Sequence, residues 1–421
     1  MGMIYKLLRS LKWTCSRFIY MNTLKIRIRK VRQKENIRVL FAVAETATWK
    51  NDTLYRAMLK HPRFTPFILV LPDEQKEPSL SKEEVDLCFD FFRKSGYECS
   101  YPYQDGKLIN IRKVLKPDII FYQKPYKAYP RSLLYYKNMN ALFCYTNYAF
   151  HSLLEEWANE NAFFKLVWQN YYENESAYTD LKKRFTEVSS NVVITGLPVT
   201  DMFLNERHEN RWKKTDEKCK RIIWAPHFSI SDDGCLNYST FLSVAEDMLE
   251  FVKTTQLPIQ IAFKPHPLLK SELYTYPSWG KEKTDRYYSE WDSLSNAQLE
   301  TGKYVDLFMT SDAMIHDCGS FTIEYHYTLK PVMYLVKGEE HTKMMNRFAK
   351  EAYDLHYKGR NMRDIQRFIE DVVLENSDYL LERRKLFFKS YLLPPNHQQA
   401  TENIIQAILG TGYYARKNRI G

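Results

Sequence analysis

The sequence predicts an α/β protein made of two doubly wound lobes. The observations behind this prediction are the chain length and the alternation of two local patterns. With 421 residues, of which 44% are hydrophobic, the chain exceeds one ordinary core and suits two domains of about 150 to 200 residues. Apolar runs such as "IRVLFAV" (37–43) alternate with amphipathic segments such as "SKEEVDLCFDFFRKSG" (81–96). That alternation is typical of a parallel sheet with helical crossovers.

The first half of the chain predicts one such sheet. Apolar strand patterns occur at 37–43, 64–72, 116–125 and 141–150. Gly96 follows the amphipathic helix at the position where a helix end favours glycine. The segment "NVVITGLPVTD" (191–201) closes this half. We assign residues 37–204 to an N-terminal Rossmann-like lobe, which we expect to bind an acceptor substrate.

The second half repeats the order of strand, polar loop and helix. The charged segment 205–221 has no apolar face and is predicted to be a linker. Strand patterns follow in "IIWAPH" (222–227), "IQIAFKPHP" (259–267) and "AMIHDCGS" (313–320). We assign 222–395 to a C-terminal Rossmann-like nucleotide-donor lobe and 396–421 to a C-terminal helix and tail. Two such lobes facing a cleft form the GT-B-type architecture of many glycosyltransferases.

The net charge of +10 is concentrated in residues 1–36, which carry ten Lys or Arg and one acidic residue. The rest of the chain is therefore nearly neutral, which argues against a nucleic-acid partner. Apolar residues recur at helical spacing from Ile4 to Ile19, without a run long enough to span a membrane or a secretory cleavage site. We expect a basic amphipathic arm on an anionic membrane surface, at the cytoplasmic face of the cell membrane. The alternative is a helix packed on its own protein.

The cysteines and the missing motifs exclude several classes of protein. Seven scattered Cys without a C-x-x-C pair indicate reduced thiols, not a disulfide framework or a zinc site. His316 and Cys318 lack the spacing of metal ligands, and Cys318 lacks a clear base partner. Neither a P-loop motif nor a G-x-G-x-x-G fingerprint is present. The sequence therefore predicts no metal and no cofactor.

Three polar loops follow strand patterns in the second half, where ligands bind beyond the carboxyl ends of parallel strands. They contain His227, Lys264 with His266, and the turn from Asp317 to Ser320. Lys264 and His266 supply charge and hydrogen-bond donors that suit a diphosphate. The three loops together predict a site for a nucleoside diphosphate group, with His227 and Asp317 among its binding residues.

The turn at Gly319 and Ser320 is predicted to open a helix, whose free N–H groups and dipole attract phosphate. Ser320 adds a hydroxyl. Glu324 lies four residues on, on the same helix face, and is predicted to accept hydrogen bonds from two ribose hydroxyls.

Each of these residues also has a structural alternative. Ser320 is equally an ordinary helix N-cap, and Glu324 a solvated side chain. His227 and His266 each adjoin proline and are equally turn residues. His316 alternates with a buried strand, so we interpret it as structural.

Several segments resemble the CDP-glycerol glycerophosphotransferase family, which comprises teichoic-acid-type polymerases and their capsular relatives. The resemblance extends over about residues 38–409 and is most specific in the second half. The segments that carry it are "FYQKPY", "CYTNYAFHS", "VITGLPVTD", "WAPHFSI", "STFLSV", "FKPHPLLK", "NAQLETGKYVDLFMTSDAMIHDCGSFTIEYHYTLKPVMYL" and "LLPPNHQQATENI". The family's Asp-Tyr-Ser-Ser turn corresponds to Asp317-Cys318-Gly319-Ser320, which keeps its first and last members.

The resemblance implies transfer of an alditol phosphate from a CDP-alditol to an acceptor hydroxyl of a polymer or its lipid-linked precursor, with release of CMP. His151 in "YAFHS" is the nearest match to the family's His-Gly motif and would supply the catalytic base. His266, Lys264 and Ser320 would stabilise charge on the leaving CMP. A sugar transferase that uses a nucleotide sugar and a noncatalytic binding protein with a degenerate site remain the alternatives. Glycerol is not distinguished from ribitol.

Overall fold

The computed structural model describes residues 2–74, 77–122, 129–153, 162–214, 218–231, 238–338 and 340–417, with side chains from residue 14 to 415 apart from 340 and 341. Part of the "FYQKPY" segment and the side chains of Ile4, Leu7, Leu8 and Leu11 lie outside this description. The chain forms two compact units. The first contains Met1–Tyr148, Glu155–Asp201 and Pro394–Gly421, and the second contains Ala149–Leu154 and Met202–Leu393.

A parallel sheet of seven described strands forms the centre of the first unit, in the order β3-β2-β1-β6-β7-β8-β9. Its strands are β1 (Ile37–Val43), β2 (Phe64–Val70), β3 (Cys99–Ser100), β6 (Ile119–Tyr122), β7 (Leu142–Thr146), β8 (Gln169–Tyr172) and β9 (Val192–Ile194). A small antiparallel hairpin joins β4 (Tyr103–Gln104) to β5 (Lys107–Leu108). The central strands are buried on both faces, as their continuous apolar runs predict.

The helices of the first unit surround this sheet. They are α1 (Gly2–Gln33), α2 (Asp52–Lys60), α3 (Pro78–Lys94), α4 (Glu175–Arg184), α5 (Thr186–Ser189) and α6 (Pro198–Phe203), whose last two residues the second unit contains. The helix predicted before Gly96 is present, and Gly96 adopts a φ of +77°, which favours glycine.

The second unit is built on a parallel sheet of six described strands, in the order β12-β11-β10-β13-β14-β15. The strands are β10 (Lys220–Ala225), β11 (Ile259–Phe263), β12 (Ala297–Leu299), β13 (Ala313–His316), β14 (Val332–Leu335) and β15 (Tyr357–Gly359). The chain proceeds outward from β10 in one direction and then restarts at β13 in the other. The carboxyl ends of β10 and β13 therefore form a topological switch point, where such sheets bind ligands.

Most remaining helices pack within the second unit. They are α7 (Phe241–Thr254), α8 (Leu269–Thr275), α9 (Gly280–Ser293), α10 (Val305–Thr310), α11 (Phe321–Glu324), α12 (Glu340–Lys343), α13 (Arg347–Tyr353), α14 (Met362–Arg367) and α15 (Leu381–Phe387). Two π-helical segments, Phe368–Leu374 and Phe388–Leu392, continue α14 and α15.

The C-terminal helices return to the first unit. They are α16 (Ala400–Leu409) and α17 (Tyr414–Lys417). Asp201 accepts hydrogen bonds from the backbone N–H groups of Ala400 at 2.7 Å and Thr401 at 2.8 Å, which caps α16. Gly196 has a φ of +80°, and a Cβ atom there would lie 2.8 Å from the Cβ of Ala400. The Gly-x-Pro turn thus needs glycine for its conformation and for its close contact with α16.

The charged segment predicted to be a linker packs on the second unit along part of its length. Trp212 is buried, and its indole N–H donates to the Thr310 hydroxyl at 3.2 Å. The backbone N–H of Lys213 donates to Gln298 at 2.7 Å. Composition alone did not indicate these contacts because they involve one aromatic side chain and backbone groups.

The second half of α1 packs on the first unit. Tyr20 is buried and stacks on Phe143, with ring centroids 5.5 Å apart, and Arg32 donates to the carbonyl of Ile408 at 2.9 Å. Phe18 and Ile26 remain 69% and 57% exposed. The second half of α1 therefore packs on its own protein and also exposes apolar side chains. Its attachment to a membrane surface stays a prediction. None of the described helices has both the length and the apolar character that crossing a membrane requires.

Candidate nucleotide site

The three loops singled out in the sequence follow neighbouring strands of the second sheet. His227 follows β10, Lys264 and His266 follow β11, and Asp317 follows β13. Because β10 pairs with both β11 and β13 in parallel, all three loops lie at the same edge of the sheet. This edge includes the switch point between β10 and β13.

Asp317 connects these loops through its buried carboxylate. One oxygen accepts the backbone N–H of His227 at 2.5 Å, and the other accepts the backbone N–H and the hydroxyl of Thr240 at 2.7 and 2.9 Å. Burial raises the pKa of this carboxyl to about 6, although the three donors oppose that rise. The sequence predicted a substrate contact here. Both oxygens accept hydrogen bonds from within the protein, so the carboxylate holds the loops together. The substrate contact of Asp317 stays a prediction.

His227 and His266 have the same tautomer, as assigned from their hydrogen bonds. The Nδ1 atom of His227 accepts the backbone N–H of Ser229 at 3.3 Å, and that of His266 accepts the backbone N–H of Leu268 at 3.1 Å. The proton of each neutral ring therefore lies on Nε2. With ring centroids 5.1 Å apart, the two histidines bring two N–H donors to this edge of the sheet.

Both rings stay neutral at physiological pH. Burial lowers the pKa of His227 to about 3, and the neighbouring His266 adds to the effect. Burial lowers the pKa of His266 to about 4, with a further contribution from the positive charge of Lys264. Because neither ring has a free basic nitrogen in this tautomer, both suit hydrogen-bond donation to an anion better than proton abstraction.

Lys264 places a positive charge at this edge of the sheet. Its side chain is buried, and its backbone N–H donates to the carbonyl of Trp224 at 2.8 Å in the neighbouring strand. The positive charge is close enough to act on the pKa of both His266 and Cys318. A buried ammonium beside neutral imidazoles is favourable for binding a phosphate group.

The helix predicted after Ser320 is present but short. α11 has four residues and continues as a 3-10 turn, Tyr325–Thr328, and Ser320 makes no side-chain capping bond. A single turn has little macrodipole, so the expected helix-end attraction for phosphate loses most of its strength. The affinity for an anion at this edge would therefore come mainly from the loop donors and Lys264.

Glu324 is not a solvated side chain. It is buried and hydrogen-bonded to the hydroxyl of Tyr304. Burial raises the pKa of Tyr304 well above its ordinary value, and the carboxylate of Glu324 raises it further. The ribose contact proposed for Glu324 stays a prediction.

His151 lies five residues beyond the end of β7, in a segment that belongs to the second unit. Its carbonyl accepts the side-chain N–H of Asn346, and the carbonyl of Ser152 accepts the backbone N–H of Asn346 at 3.0 Å. The sequence placed His151 in the N-terminal lobe because it follows a strand pattern there. Its role as base stays a prediction.

Sequence reasoning missed the residues that hold the loops. Thr240 binds Asp317, and the Ser229 hydroxyl lies 2.8 Å from His227 Nδ1 and accepts the backbone N–H of Tyr238 at 3.0 Å. The signals in the sequence were the segments "STFLSV" and "WAPHFSI", which contain these residues, and the position of Thr240 directly before the amphipathic pattern of α7, which is typical of an N-cap. Its hydroxyl bonds a distant carboxylate, which no local pattern encodes.

No group of three His, Cys, Asp or Glu in the described ranges is arranged to hold a metal ion. None of the six described cysteines forms a disulfide. Cys318 is buried, and burial raises the pKa of its thiol well above the ordinary value. A raised pKa disfavours the thiolate that a nucleophile needs.

The comparison with protein families identifies the chain. The model of the family described as CDP-Glycerol:Poly(glycerophosphate) glycerophosphotransferase matches residues 158–410, which is more than half of the protein. The chain belongs to this family. The matched region contains all three loops of the candidate site.

The chain is also similar to a curated polymerase. The chain is 24% identical over 216 residues to the teichoic acid ribitol-phosphate polymerase TarL of Staphylococcus aureus. The match covers 50% of this chain and 35% of TarL. The chain thus spans about a third of the length of that relative.

Solved structures show the same GT-B-like fold. The wall teichoic acid polymerase TagF has a TM-score of 0.56 at 12% identity, covering 97% of this chain and 99% of that one. S. aureus MnaA with UDP has a TM-score of 0.57 at 11% identity, covering 89% and 96%. UDP-GlcNAc 2-epimerase from Neisseria meningitidis has 0.55 at 13%, covering 89% and 100%. The two-lobed α/β prediction is therefore confirmed.

We expect acid to destabilise this glycerophosphotransferase-family protein. Burial lowers the pKa of His316 and His326 to about 3 and that of His356 well below its ordinary 6.5. The unfolded chain binds these protons more readily, so the stability is fully present above pH 6.5 and falls as the pH drops towards about 3. Each ring contributes up to ~1.4 kcal/mol per pH unit. Urea unfolding at pH 7.5, 6 and 5 measures this.

The raised pKa of Asp317 acts in the opposite sense between about pH 6 and its ordinary 3.8, and the raised pKa of Asp201 adds to this effect. These two carboxyls oppose the three buried imidazoles together with His227 and His266, whose pKa values are also lowered. The variant His326→Gln removes one titrating ring and should flatten the dependence. A free energy of unfolding that does not change from pH 7.5 to 5 would contradict the expectation.

Gly319→Ala tests whether a ligand approaches the turn. Among the described residues, a Cβ atom at Gly319 would meet the Tyr238 ring at an ordinary 3.8 Å, and the backbone does not require glycine. We therefore expect the thermal midpoint to change little while CDP affinity falls by about tenfold, because the added methyl group occupies space next to the phosphate. Calorimetric titration with CDP measures the affinity. Equal affinities for the variant and the wild type would remove Gly319 from the site.

Proposed function

We propose that this protein transfers an alditol phosphate from a CDP-alditol to a hydroxyl of a cell-surface polymer or its lipid-linked precursor. The observation that carries the proposal is the group of two neutral imidazole donors and one buried ammonium at the switch point, in a chain that belongs to the glycerophosphotransferase family. This group matches the charge of a diphosphate.

The reaction needs a proton acceptor and a stabilised leaving group. The acceptor oxygen attacks the phosphorus that carries the alditol, the bond from this phosphorus to the bridging oxygen of CMP breaks, and the hydroxyl proton passes to a base. CMP leaves with an additional negative charge. Donation from His266 and His227 and the charge of Lys264 would stabilise that charge as it develops.

His151 is the proposed base, a role worth about 10²–10⁴ in rate. The tautomers of His227 and His266 favour a base elsewhere, because their Nδ1 atoms already accept backbone N–H groups. The segment that carries His151 is fixed at Asn346, which supports a defined position for this residue. Glu324 is proposed to contact the ribose, with Tyr304 orienting its carboxylate.

The proposed donor is tested by incubating the purified protein with CDP-glycerol, CDP-ribitol, UDP-GlcNAc and an acceptor analogue. We expect release of CMP from a CDP-alditol. His266→Ala should lower kcat/KM by about 100-fold, because one preorganised donor is lost, and His266→Gln should recover part of it because the amide still donates. The exposed His397 provides the control His397→Ala, which should behave like the wild type.

Other results would assign the alternatives. Release of a uridine nucleotide from UDP-GlcNAc would support a sugar transferase. Structures of the same fold with bound UDP or UDP-GlcNAc are the observation that favours this alternative. Binding of CDP without turnover of any donor would support a noncatalytic protein.

We further propose that α1 attaches the protein to an anionic membrane surface. Exposed apolar residues Phe18, Ile19 and Ile26 lie in the same helix as the exposed cations Lys25 and Arg29. Insertion of the apolar side chains and attraction of the cations to anionic headgroups are the two signals that reversible attachment requires.

The triple variant Phe18→Ser, Ile19→Ser, Ile26→Ser tests this attachment. It keeps Tyr20 and Val31 in the core, whereas deletion of residues 1–36 would remove them. We expect binding to phosphatidylglycerol vesicles to fall at least about tenfold, since buried apolar area is lost. Wild-type binding should weaken as salt rises. The matched control is Leu59→Ser with Leu87→Ser, two exposed residues elsewhere in the first unit. Equal losses in both variants would contradict a specific role for α1.

A further inference from the structure

A chain of hydrogen bonds joins the turn at residues 317–320 to α13. His316 is completely buried at the end of β13, and its Nδ1 accepts the backbone N–H of Cys318 at 3.1 Å. Its Nε2 lies 3.1 Å from Nε2 of His356. The Nδ1 of His356 lies 3.0 Å from the carbonyl oxygen of Ala352 in α13.

The two ends of this chain fix every proton within it. A backbone N–H can only donate, so Nδ1 of His316 is the acceptor and its proton lies on Nε2. That proton faces Nε2 of His356, which must therefore accept. The proton of His356 then lies on Nδ1 and is donated to the carbonyl of Ala352, which can only accept. All four ring nitrogens are therefore used in hydrogen bonds of fixed direction, and no nitrogen is left to accept an additional proton.

We propose that His316 and His356 are a positioning pair that sets the backbone of the donor-site turn at Cys318, Gly319 and Ser320. This inference rests on the proposed function of that turn. Neither ring is proposed to touch the substrate. The pair acts because the Cys318 N–H is buried and would otherwise lack its acceptor.

The surrounding contacts explain why this bond matters for the position of the turn. The carbonyl of Asp317 accepts from the Tyr334 hydroxyl at 3.2 Å, and the carbonyl of Cys318 accepts from the Thr322 hydroxyl at 3.0 Å. The thiol of Cys318 donates to the carbonyl of Ala225 at 3.2 Å. The peptide group between Asp317 and Cys318 is thus held on its carbonyl side by Tyr334 and on its N–H side by His316. Loss of the latter bond would let this peptide rotate beside Gly319.

His326 provides an internal comparison. It is as deeply buried as His316, and its Nε2 lies 3.0 Å from the same carbonyl of Ala352. Its hydrogen bond to Ala352 does not continue to the turn. If the buried imidazoles had only a structural role, substitution of His326 and of His356 would affect the donor site equally. A positioning role predicts a larger effect for His356.

The experiment compares His356→Gln, His356→Met and His326→Met in the full-length protein. Gln places an amide oxygen near the position of Nε2 and can accept from His316, whereas Met has a similar size without a strong acceptor. We expect His356→Met to raise the KM for the CDP-alditol by about tenfold and to leave the KM for the acceptor unchanged. His356→Gln and His326→Met should stay within about threefold of the wild type by the same measure.

Amide hydrogen exchange in the peptide that contains Cys318 gives a second measurement that does not depend on turnover. His356→Met should accelerate exchange there, and His356→Gln should not. Equal donor KM and equal exchange in the two His356 variants would overturn the inference, as would an equal donor KM effect in His326→Met. If the wild type neither binds CDP nor releases CMP, the proposed function fails, and the exchange measurement still decides whether the pair positions the turn.

Discussion

The buried carboxylate of Asp317 is the interaction on which the candidate site depends. A charged group removed from water is tolerated only when donors satisfy it. Here the donors are the backbone N–H of His227 and both the N–H and the hydroxyl of Thr240. These groups come from the end of β10 and the start of α7, while Asp317 ends β13. One side chain therefore fixes the relative positions of the segments that meet at the switch point, including the loop that carries His227.

Four histidines of the second unit form two pairs with one shared property. His227 and His266 lie at the sheet edge, and His316 and His356 lie behind the turn. Burial lowers the pKa of all four. A neutral imidazole has one donor and one acceptor, so a backbone group bonded to one nitrogen determines what the other nitrogen can do. The outer rings thereby present N–H donors at the sheet edge that also carries Lys264, and the inner rings link α13 to the backbone of Cys318. The same helix is capped by Asn346, which also bonds the segment of His151.

The sequence predicted the strands well because a parallel strand that is buried on both faces needs a continuous apolar run. The runs at 37–43, 259–263 and 313–316 all correspond to strands. Elements defined by composition were less well predicted. The segment 205–221 is charged, yet Trp212 anchors it to the second unit. The helix predicted after Ser320 is present, but it has only one turn before it tightens into a 3-10 turn.

The sequence by itself determined the α/β class, the three loops and their common edge, because strand patterns and the parallel topology follow from local residue spacing. It also determined the basic character of α1. Only the tertiary structure decided what each polar group does. Asp317 and Thr240 are 77 residues apart in the chain, and His316 and His356 are 40 apart. Hydrogen bonds at such separations depend on how the strands pack in space, which no local pattern of residues encodes. Whether a carboxylate binds a ligand or holds a loop is therefore settled by its neighbours in the fold.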